Sequence, residues 1–264
     1  MTDVKRDIAA SYEAAAGGFS RYADGHVYRH LAEPLAEALR SVSGVVLDIA
    51  SGSGALARRL SEVVALDISL RILTANEARD RVQADAERLP FANDSFAASA
   101  SAFGINHFPW PSHAVAEMAR VSPFVALITW KRPETPYAPL DAIFGVIAHH
   151  CGRSRSRTGE AVERMSIEVG SERALAALLT SAGLEATVST ITASVPWPGA
   201  AEFVDYRLSM LGSLATEADL SQLRNDAVAA VATLPSEALS WEPHLVLGVG
   251  RRPAHPVTGP SVDG

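Results

Sequence analysis

The sequence predicts a single α/β domain built on a mainly parallel β-sheet. Two apolar runs, 45–49 and 63–68, have the aliphatic and β-branched composition of strands that are buried on both faces. The first run passes through a loop of small residues into a helical pattern, as a strand does when a crossover helix follows it. The chain has 264 residues, of which 48% are hydrophobic, and this is enough for one substantial core.

The loop after the first strand has the composition of a ligand-binding turn. It runs from Ala50 to Gly54 and precedes helical spacing at 55–60, so it lies at the carboxyl end of a strand, where ligands bind in open α/β folds. Glycines at 52 and 54 allow positive φ and close approach of a ligand, and backbone N–H groups at a helix start attract electronegative atoms. The same residues also fit the dinucleotide pattern G-x-G-x-x-G/A, so the loop alone leaves the ligand open.

Two aspartates narrow the choice of ligand. Asp48 comes just before the glycine loop, where a carboxylate suits an ammonium group better than a pyrophosphate. Asp67 ends the second predicted strand and is placed to accept hydrogen bonds from both hydroxyls of a ribose. An NAD site would need the same group, so Asp67 by itself does not discriminate.

Two further segments give the chain its family resemblance. Residues 81–91 read Arg-Val-Gln-Ala-Asp-Ala-Glu-Arg-Leu-Pro-Phe and are followed by Asn-Asp-Ser-Phe at 93–96, and residues 98–108 read Ala-Ser-Ala-Ser-Ala-Phe-Gly-Ile-Asn-His-Phe. Together with the two aspartate-bearing strands, they resemble class I S-adenosylmethionine (SAM) dependent methyltransferases of the small-molecule, ubiquinone/menaquinone-biosynthesis type. The resemblance implies a Rossmann-like, seven-stranded, mainly parallel sheet with helical lid insertions.

The resemblance also implies which residues hold the cofactor. It assigns Asp48, Ala50, Ser51 and Gly52 to the methionine end of SAM, and Asp67 and Ile68 to its ribose and adenine. It assigns Asp85 and Ala86 to the adenine, and the backbone of Ser101 and Ala102 to the region of the sulfonium. In this family the amino-terminal segment folds over the cofactor, which adds Tyr12, Arg21 and Tyr22 as candidate contacts. Ala50 stands where the family most often has glycine, and we expect a negative φ there.

Turn signals and changes of pattern predict how the single domain, residues 1–264, is divided. A helical cap occupies 1–42, the SAM-binding core 43–132 and a lid insertion 133–170. The carboxyl-terminal half, 171–251, contains a helical insertion at 197–236, and a flexible tail covers 252–264. Within that half we expect a helix capped by Ser171, a sixth strand from 184 to 195, and a seventh strand from 244 to 249 that inserts antiparallel beside it.

Composition limits the partners and the location that we expect. The formal net charge of −7 and the pI near 5.6 repel polyanions, so we expect a small-molecule acceptor, free or bound to a carrier, and no nucleic acid. The single cysteine, Cys151, excludes an internal disulfide, and its neighbours His149 and His150 lack the spaced companions of a closed metal site, so no metal is expected. No apolar run approaches the roughly 20 residues that span a bilayer, and we expect a cytoplasmic monomer or homodimer.

The chemistry of methyl transfer sets few requirements on side chains. The sulfonium methyl is already electrophilic, so alignment and exclusion of water matter most for transfer to an O, N or C atom. A general base helps when the acceptor is a hydroxyl or an activated carbon, and His107 after the fourth strand is the candidate. Further candidates for acceptor binding are Arg153, Arg155 and Arg157 for an anionic group, His149 or His150, and Trp197, Phe203, Tyr206 and Met210 for an apolar pocket.

Two other functions stay open. A SAM-bound cyclase or pericyclase would keep the cofactor site and act on its substrate through shape and electrostatics. An NAD-dependent oxidoreductase is disfavoured by Asp48 and by the segment around Asp85. Product mass separates methyl transfer from cyclisation, because methylation adds a CH₂ unit.

Overall fold

The computed structural model describes residues 3–18, 27–133, 136–155, 157–209 and 217–254. Within these residues the β-strands, numbered β1 to β7 in chain order, are Val46–Ile49, Val63–Asp67, Asp80–Gln83, Ala98–Ala102, Phe124–Trp130, Glu185–Thr192 and His244–Arg251. They form one sheet in the order 3-2-1-4-5-7-6. Neighbouring strands are parallel except that β7 runs antiparallel to β5 and β6. The predicted seven-stranded, mainly parallel sheet is confirmed.

The helices of the same part of the chain, numbered α1 to α10, are Asp3–Gly18, Arg29–Leu31, Glu33–Leu39, Leu70–Leu73, Pro111–Val121, Ala138–Cys151, Arg157–Val169, Glu172–Ser181, Ala200–Ser209 and Glu217–Ala232. α8 begins where predicted, because the Ser171 hydroxyl oxygen accepts a hydrogen bond from the Ala174 N–H at 3.1 Å. None of the helices in the described ranges is long and apolar enough to cross a membrane.

The strand order creates a crevice at the carboxyl edge of the sheet. The chain moves outward from β1 to β3 and then returns to the other side of β1 with β4. Asp48 on β1 therefore lies opposite Ala65 of β2 on one side and Ala100 of β4 on the other. Such a switch point is where ligands bind in open α/β sheets.

Alternate strand residues pack into two apolar layers, one on each face of the sheet. On β5, Phe124, Ala126 and Ile128 join one layer, while Val125 and Leu127 join the other. The first layer includes residues of α2, α3, α6, α9 and α10, and the second includes residues of α5 and α8. The sheet is covered on both faces, as its apolar strand sequences predict.

The segment after β1 differs from what the sequence led us to expect. The helical pattern after the first strand forms only a 3₁₀ turn, Ala57–Arg59, because Gly54 at φ 99° and the extended Leu60 leave too few residues for an α-helix. The lid insertion, 133–170, contains α6 and α7, in agreement with the helical lid insertions that the family resemblance implied. α6 packs against α10, and α7 packs against α1 and the 3₁₀ turn Ile105–His107.

Close packing of α8 on β7 depends on the absence of a side chain at Gly248. A Cβ atom there would lie 2.8 Å from Leu175 Cδ2 and 3.0 Å from Leu175 Cγ. We expect Gly248→Ala to lower the free energy of unfolding by about 1–3 kcal/mol, the usual cost of overpacking a core. Urea unfolding measures this change.

The control for this variant is Gly145→Ala. Gly145 is exposed on α6, and a Cβ atom there meets nothing within 4 Å. Alanine should stabilise this helix by about 1 kcal/mol or less through its higher helix propensity. If Gly248→Ala were as stable as Gly145→Ala, the close contact of α8 with β7 would be wrong.

Candidate cofactor site

A cavity opens at the carboxyl ends of β1, β2 and β4, and α1 covers it. Its empty volume is about 980 Å³, open mouth included. One face of α1 closes it with residues spaced three and four apart: Lys5, Ile8 and Tyr12. Most of the predicted site residues line this cavity: Asp48, Ala50, Ser51, Gly52, Asp67, Ile68, Asp85, Ala86, Ala102 and His107.

Among the predicted cofactor residues that the structure describes, Ser101 does not line the cavity. Ser101 is fully buried in β4, and its neighbour Ala102, which points to the other face, reaches the cavity instead. A Cβ atom on Gly104 would lie 2.4 Å from Ser101 Oγ, which shows how tightly this strand end is packed. Tyr22 lies outside the described residues, as does Arg21.

The residues after β5 that were predicted to bind the acceptor, as far as the structure describes them, contact other parts of the protein. His150 Nε2 lies 2.8 Å from Asp226 Oδ2, and Arg155 lies 3.2 Å from Glu163 and stacks on Phe144. Trp197, Phe203 and Tyr206 are buried in the core. None of these residues lines the cavity. Met210 and the side chain of Arg157 lie outside the described part of the chain.

The turn after β1 has a left-handed backbone at three positions. Ala50, Gly52 and Gly54 have φ values of 54°, 56° and 99°. The expected negative φ at Ala50 was therefore wrong. Ser51 holds the turn in place, because its N–H donates to the Leu66 carbonyl oxygen at 2.9 Å as the chain leaves β1. An alanine in the left-handed backbone conformation costs about 1–2 kcal/mol. Backbone strain of this kind is found most often at ligand-binding sites.

A second strained residue faces the same cavity. Phe103, directly after β4, has φ 59° and lines the cavity. Positive φ is rare for a bulky side chain. Its ring centroid lies 4.6 Å from that of Trp130 and 5.1 Å from that of Tyr28. Sequence reasoning missed this aromatic cluster, because its members come from three separate segments.

Asp48 belongs to a hydrogen-bond network under the turn. It is only 1% exposed, and its Oδ2 accepts the Ser51 hydroxyl at 2.6 Å. Asn76 Nδ2 donates to Ser51 Oγ at 2.8 Å and to the Gly52 carbonyl oxygen at 3.0 Å. Asn76 was not predicted, because it lies in a loop without a pattern. The network holds a buried carboxylate at the cavity wall, which suits the ammonium group of a ligand.

Asp67 joins the turn after β1 to the turn after β2. Its Oδ2 accepts the Gly52 N–H and its Oδ1 accepts the Ser69 N–H, both at 2.9 Å. Burial raises the pKa of this carboxyl, and the backbone donors act against that shift. Each oxygen keeps a further lone pair, so the carboxylate can accept two adjacent hydroxyls from the cavity that it lines. Recognition of a ribose needs this arrangement.

The predicted adenine loop carries an ion cluster that includes α1. Lys5 Nζ lies 2.7 Å from Asp85 Oδ2 and 2.5 Å from Glu87 Oε2. Lys5 is only 7% exposed. It was not predicted, because only apolar residues were expected on the buried face of this helix. The cluster fastens the helix that covers the cavity to the loop that lines it.

His107 and Tyr12 meet where α1 crosses the end of β4. The Tyr12 hydroxyl oxygen lies 3.1 Å from both imidazole nitrogens. Burial lowers the pKa of His107 to about 4 and raises the pKa of the Tyr12 hydroxyl above its ordinary value. Both side chains are therefore neutral at pH 7. A neutral imidazole can accept a proton, as the predicted base at this position must.

Part of this sequence is similar to known methyltransferases. Residues 47–122 match the family model described as a methyltransferase domain. A demethylmenaquinone methyltransferase of Renibacterium salmoninarum is 40% identical over 85 residues, which cover 29% of this chain and 36% of that protein. The chain spans about a third to a half of the length of the curated relatives that it matches.

Solved structures extend the likeness in fold over nearly the whole chain. The (4+2)-cyclase SpnF has a TM-score of 0.58 at 16% identity and covers 94% of this chain and 97% of its own. A phosphoethanolamine N-methyltransferase of Haemonchus contortus, in complex with phosphomonomethylethanolamine and S-adenosylhomocysteine, has a TM-score of 0.58 at 12% identity and covers 96% of this chain and 61% of its own. Together with the domain match, they confirm the Rossmann-like fold and the resemblance to class I SAM-dependent methyltransferases.

Asp67→Asn tests the ribose contact. An amide cannot accept two hydroxyls while both backbone N–H groups are also bound, so we expect SAM affinity to fall about 10- to 100-fold, the scale of hydrogen bonds to a charged group. Isothermal titration calorimetry measures it. Asp80→Asn, at an exposed carboxylate on β3, is the control. Equal affinities of the two variants would refute the role of Asp67.

Lys5→Met tests the ion cluster that fastens α1. Without the ammonium group two neighbouring carboxylates lose their cation, and we expect the free energy of unfolding to fall by about 1–3 kcal/mol. The loss is smaller than for a fully buried pair, because the Asp85 side chain is 33% exposed. The control is Arg6→Met, which removes the exposed pair of Arg6 with Asp3 on the same helix. Indistinguishable unfolding curves for the two variants would show that the cluster does not hold α1.

Proposed function

We propose that the protein is an enzyme that transfers a methyl group from SAM to a small organic acceptor. The observation that carries the proposal is the Asp67 carboxylate, which lines the cavity beside a left-handed glycine turn and is held by two backbone N–H groups. The methyltransferase-domain match over 47–122 includes both the carboxylate and the turn. The demethylmenaquinone relative supports an acceptor of quinone or secondary-metabolite type, free or bound to a carrier.

The residues around the cavity fit SAM in charge and in shape. Asp48 is a buried anion for the ammonium of the methionine part, and Asp67 offers its two oxygens to the ribose hydroxyls. Asp85 and Ala86, which the family resemblance assigns to adenine, also line the cavity. The left-handed turn at Gly52 brings backbone rather than side chain against the ligand. When bound, SAM supplies an electrophilic methyl group.

The chain's main part in the reaction is to align the acceptor and to exclude water. α1 covers the cavity and is fastened by Lys5 to the adenine loop. Ile8, Phe103 and Phe108 add buried apolar surface around the ligand. A closed apolar site keeps water from the methyl group, and alignment of two reactants supplies a large share of the rate acceleration.

His107 is the proposed general base for an acceptor hydroxyl or an activated carbon. With a pKa of about 4, the imidazole is unprotonated over the physiological range, so one nitrogen can take the proton of the acceptor. Activity should therefore persist at neutral pH and fall as the pH drops through about 4, provided that the fold survives.

Removal of the base should lower turnover but not cofactor binding. We expect His107→Phe to reduce kcat about 100-fold, while the dissociation constant for SAM stays within a few-fold of the parent value. The control is His113→Phe, at an exposed histidine on α5. A rate for His107→Phe equal to that of the control would leave His107 as a wall of the cavity.

A SAM-bound cyclase is the second candidate. The likeness in fold to the (4+2)-cyclase extends over 94% of this chain, and a cyclase would use the cavity without consuming SAM. In that case the apolar residues of the cavity wall around Phe103 would bind the cyclisation substrate, as they would bind the acceptor in a methyltransferase.

Incubation with methyl-labelled SAM and a panel of phenols, hydroquinones and amines tests the main proposal. Methyl transfer produces S-adenosylhomocysteine and a labelled product that is heavier by one CH₂ unit. Intact SAM together with a product of unchanged mass would support the cyclase instead. Calorimetry with NAD provides the third arm, since tight binding of NAD and no binding of SAM would refute both proposals.

A further inference from the structure

We propose that Asn106 is a positioning residue that keeps the proton of the His107 imidazole on Nδ1 and leaves Nε2 as an acceptor. The proposal rests on the proposed function of His107, but its test requires no turnover. It brings the α7 helix of the lid insertion into the chemistry of the site.

The Ser166 hydroxyl on α7 orients the side-chain amide of Asn106. Ser166 Oγ donates to the Val162 carbonyl oxygen at 2.8 Å, which uses its single proton. Asn106 Nδ2 lies 3.3 Å from the same Oγ. Because Oγ has no second proton, it can only accept from the amide. The NH₂ group of Asn106, rather than its oxygen, must therefore lie on this side.

The oriented amide determines the tautomer of His107. Asn106 Nδ2 lies 3.0 Å from His107 Nε2, and an amide NH₂ can only donate. Nε2 must therefore accept, and the proton of the neutral imidazole is on Nδ1. The Tyr12 hydroxyl oxygen lies 3.1 Å from both ring nitrogens, so it does not distinguish between them.

Burial makes an amide at this position costly unless it has a role. Asn106 is only 3% exposed, in a turn that packs against α7. Its Oδ1 has no hydrogen-bond partner among the residues that the structure describes. An unpaired buried carbonyl lowers the stability of the fold, and an apolar side chain of similar size would avoid this loss. Stability of the turn alone does not account for the amide.

Proton uptake by His107 requires this amide to turn. A proton on Nε2 would face the NH₂ group of Asn106, so that two donors would be in contact. The amide must first turn so that the Nε2 lone pair is free to take the proton of an acceptor hydroxyl, and the Ser166 hydroxyl turns with it, from the Val162 carbonyl oxygen to Asn106 Oδ1. Oδ1, which is unpaired before this step, then also accepts a hydrogen bond from the new Nε2–H group of the imidazolium. Asn106 thus sets both the resting tautomer and the readiness of His107 to act as a base.

Nitrogen NMR of protein labelled with ¹⁵N-histidine reads the tautomer directly. The chain has eight histidines, and the spectrum of His107→Phe identifies the signals of His107. At pH 7 we expect a protonated-type chemical shift at Nδ1 and an unprotonated-type shift at Nε2 in the parent protein. The opposite pattern would overturn the proposal without any further variant.

Two variants at Asn106 separate positioning from packing. Asn106→Leu removes the donor at similar size, so the proton should move towards Nε2 and kcat should fall about tenfold. Asn106→Asp offers only hydrogen-bond acceptors, so the proton should be on Nε2. Because a carboxylate favours the imidazolium, the acidic limb of the pH–kcat profile should also shift to higher pH. SAM affinity should stay unchanged in both variants.

Ser181→Ala on α8 is the control variant, because it removes a side-chain hydrogen bond, that of Ser181 to the Leu178 carbonyl oxygen, which involves neither Asn106 nor His107. Its His107 signals should match those of the parent protein. Unmoved His107 signals in both Asn106 variants would overturn the proposal. The NMR result is independent of the acceptor screen, so a failure of the proposed function would be recognised separately.

Discussion

The two hydrogen bonds that Asp67 accepts from Gly52 and Ser69 are the constraint on which the rest of the site depends. They join the turns that follow two adjacent parallel strands. A buried carboxylate is costly unless it is hydrogen-bonded, and here backbone N–H groups both offset that cost and hold the oxygens at the cavity wall. The strained residue Ala50, with φ 54°, lies in the same turn as the Gly52 N–H that Asp67 accepts.

The two halves of the site come from different parts of the chain. The turns and strand ends that would hold the cofactor lie within 47–122, the segment that matches the methyltransferase domain. The cover comes from outside it, since Lys5 and Tyr12 belong to α1, and α7, which carries Ser166, packs against α1. His107 lies where the halves meet, with its ring between Tyr12 and Asn106. Differences in acceptor between proteins of this fold are expected in such covering segments, which vary more than the sheet.

Much of the sheet and of the cofactor half could be predicted from the sequence. Strand burial leaves a direct pattern of aliphatic residues, and carboxylates at or just after strand ends are visible as single letters, so the sequence predicted that Asp48, Asp67 and Asp85 lie at one cavity. The φ of Ala50 was predicted wrongly, because local sterics favour a negative value while the hydrogen bonds of the turn require a positive one. Lys5, Asn76 and Ser166 could not be predicted, because each acts through a partner far away in the sequence, such as Asp85, which is 80 residues from Lys5.

A crystal structure of the protein with S-adenosylhomocysteine is the most direct test of the central claim. The account predicts that both ribose hydroxyls lie within hydrogen-bonding distance of Asp67, about 2.5–3.0 Å, while the Gly52 and Ser69 N–H groups keep their bonds to the same carboxylate. An adenosyl group bound away from Asp67, or a ribose whose hydroxyls face other residues, would contradict it.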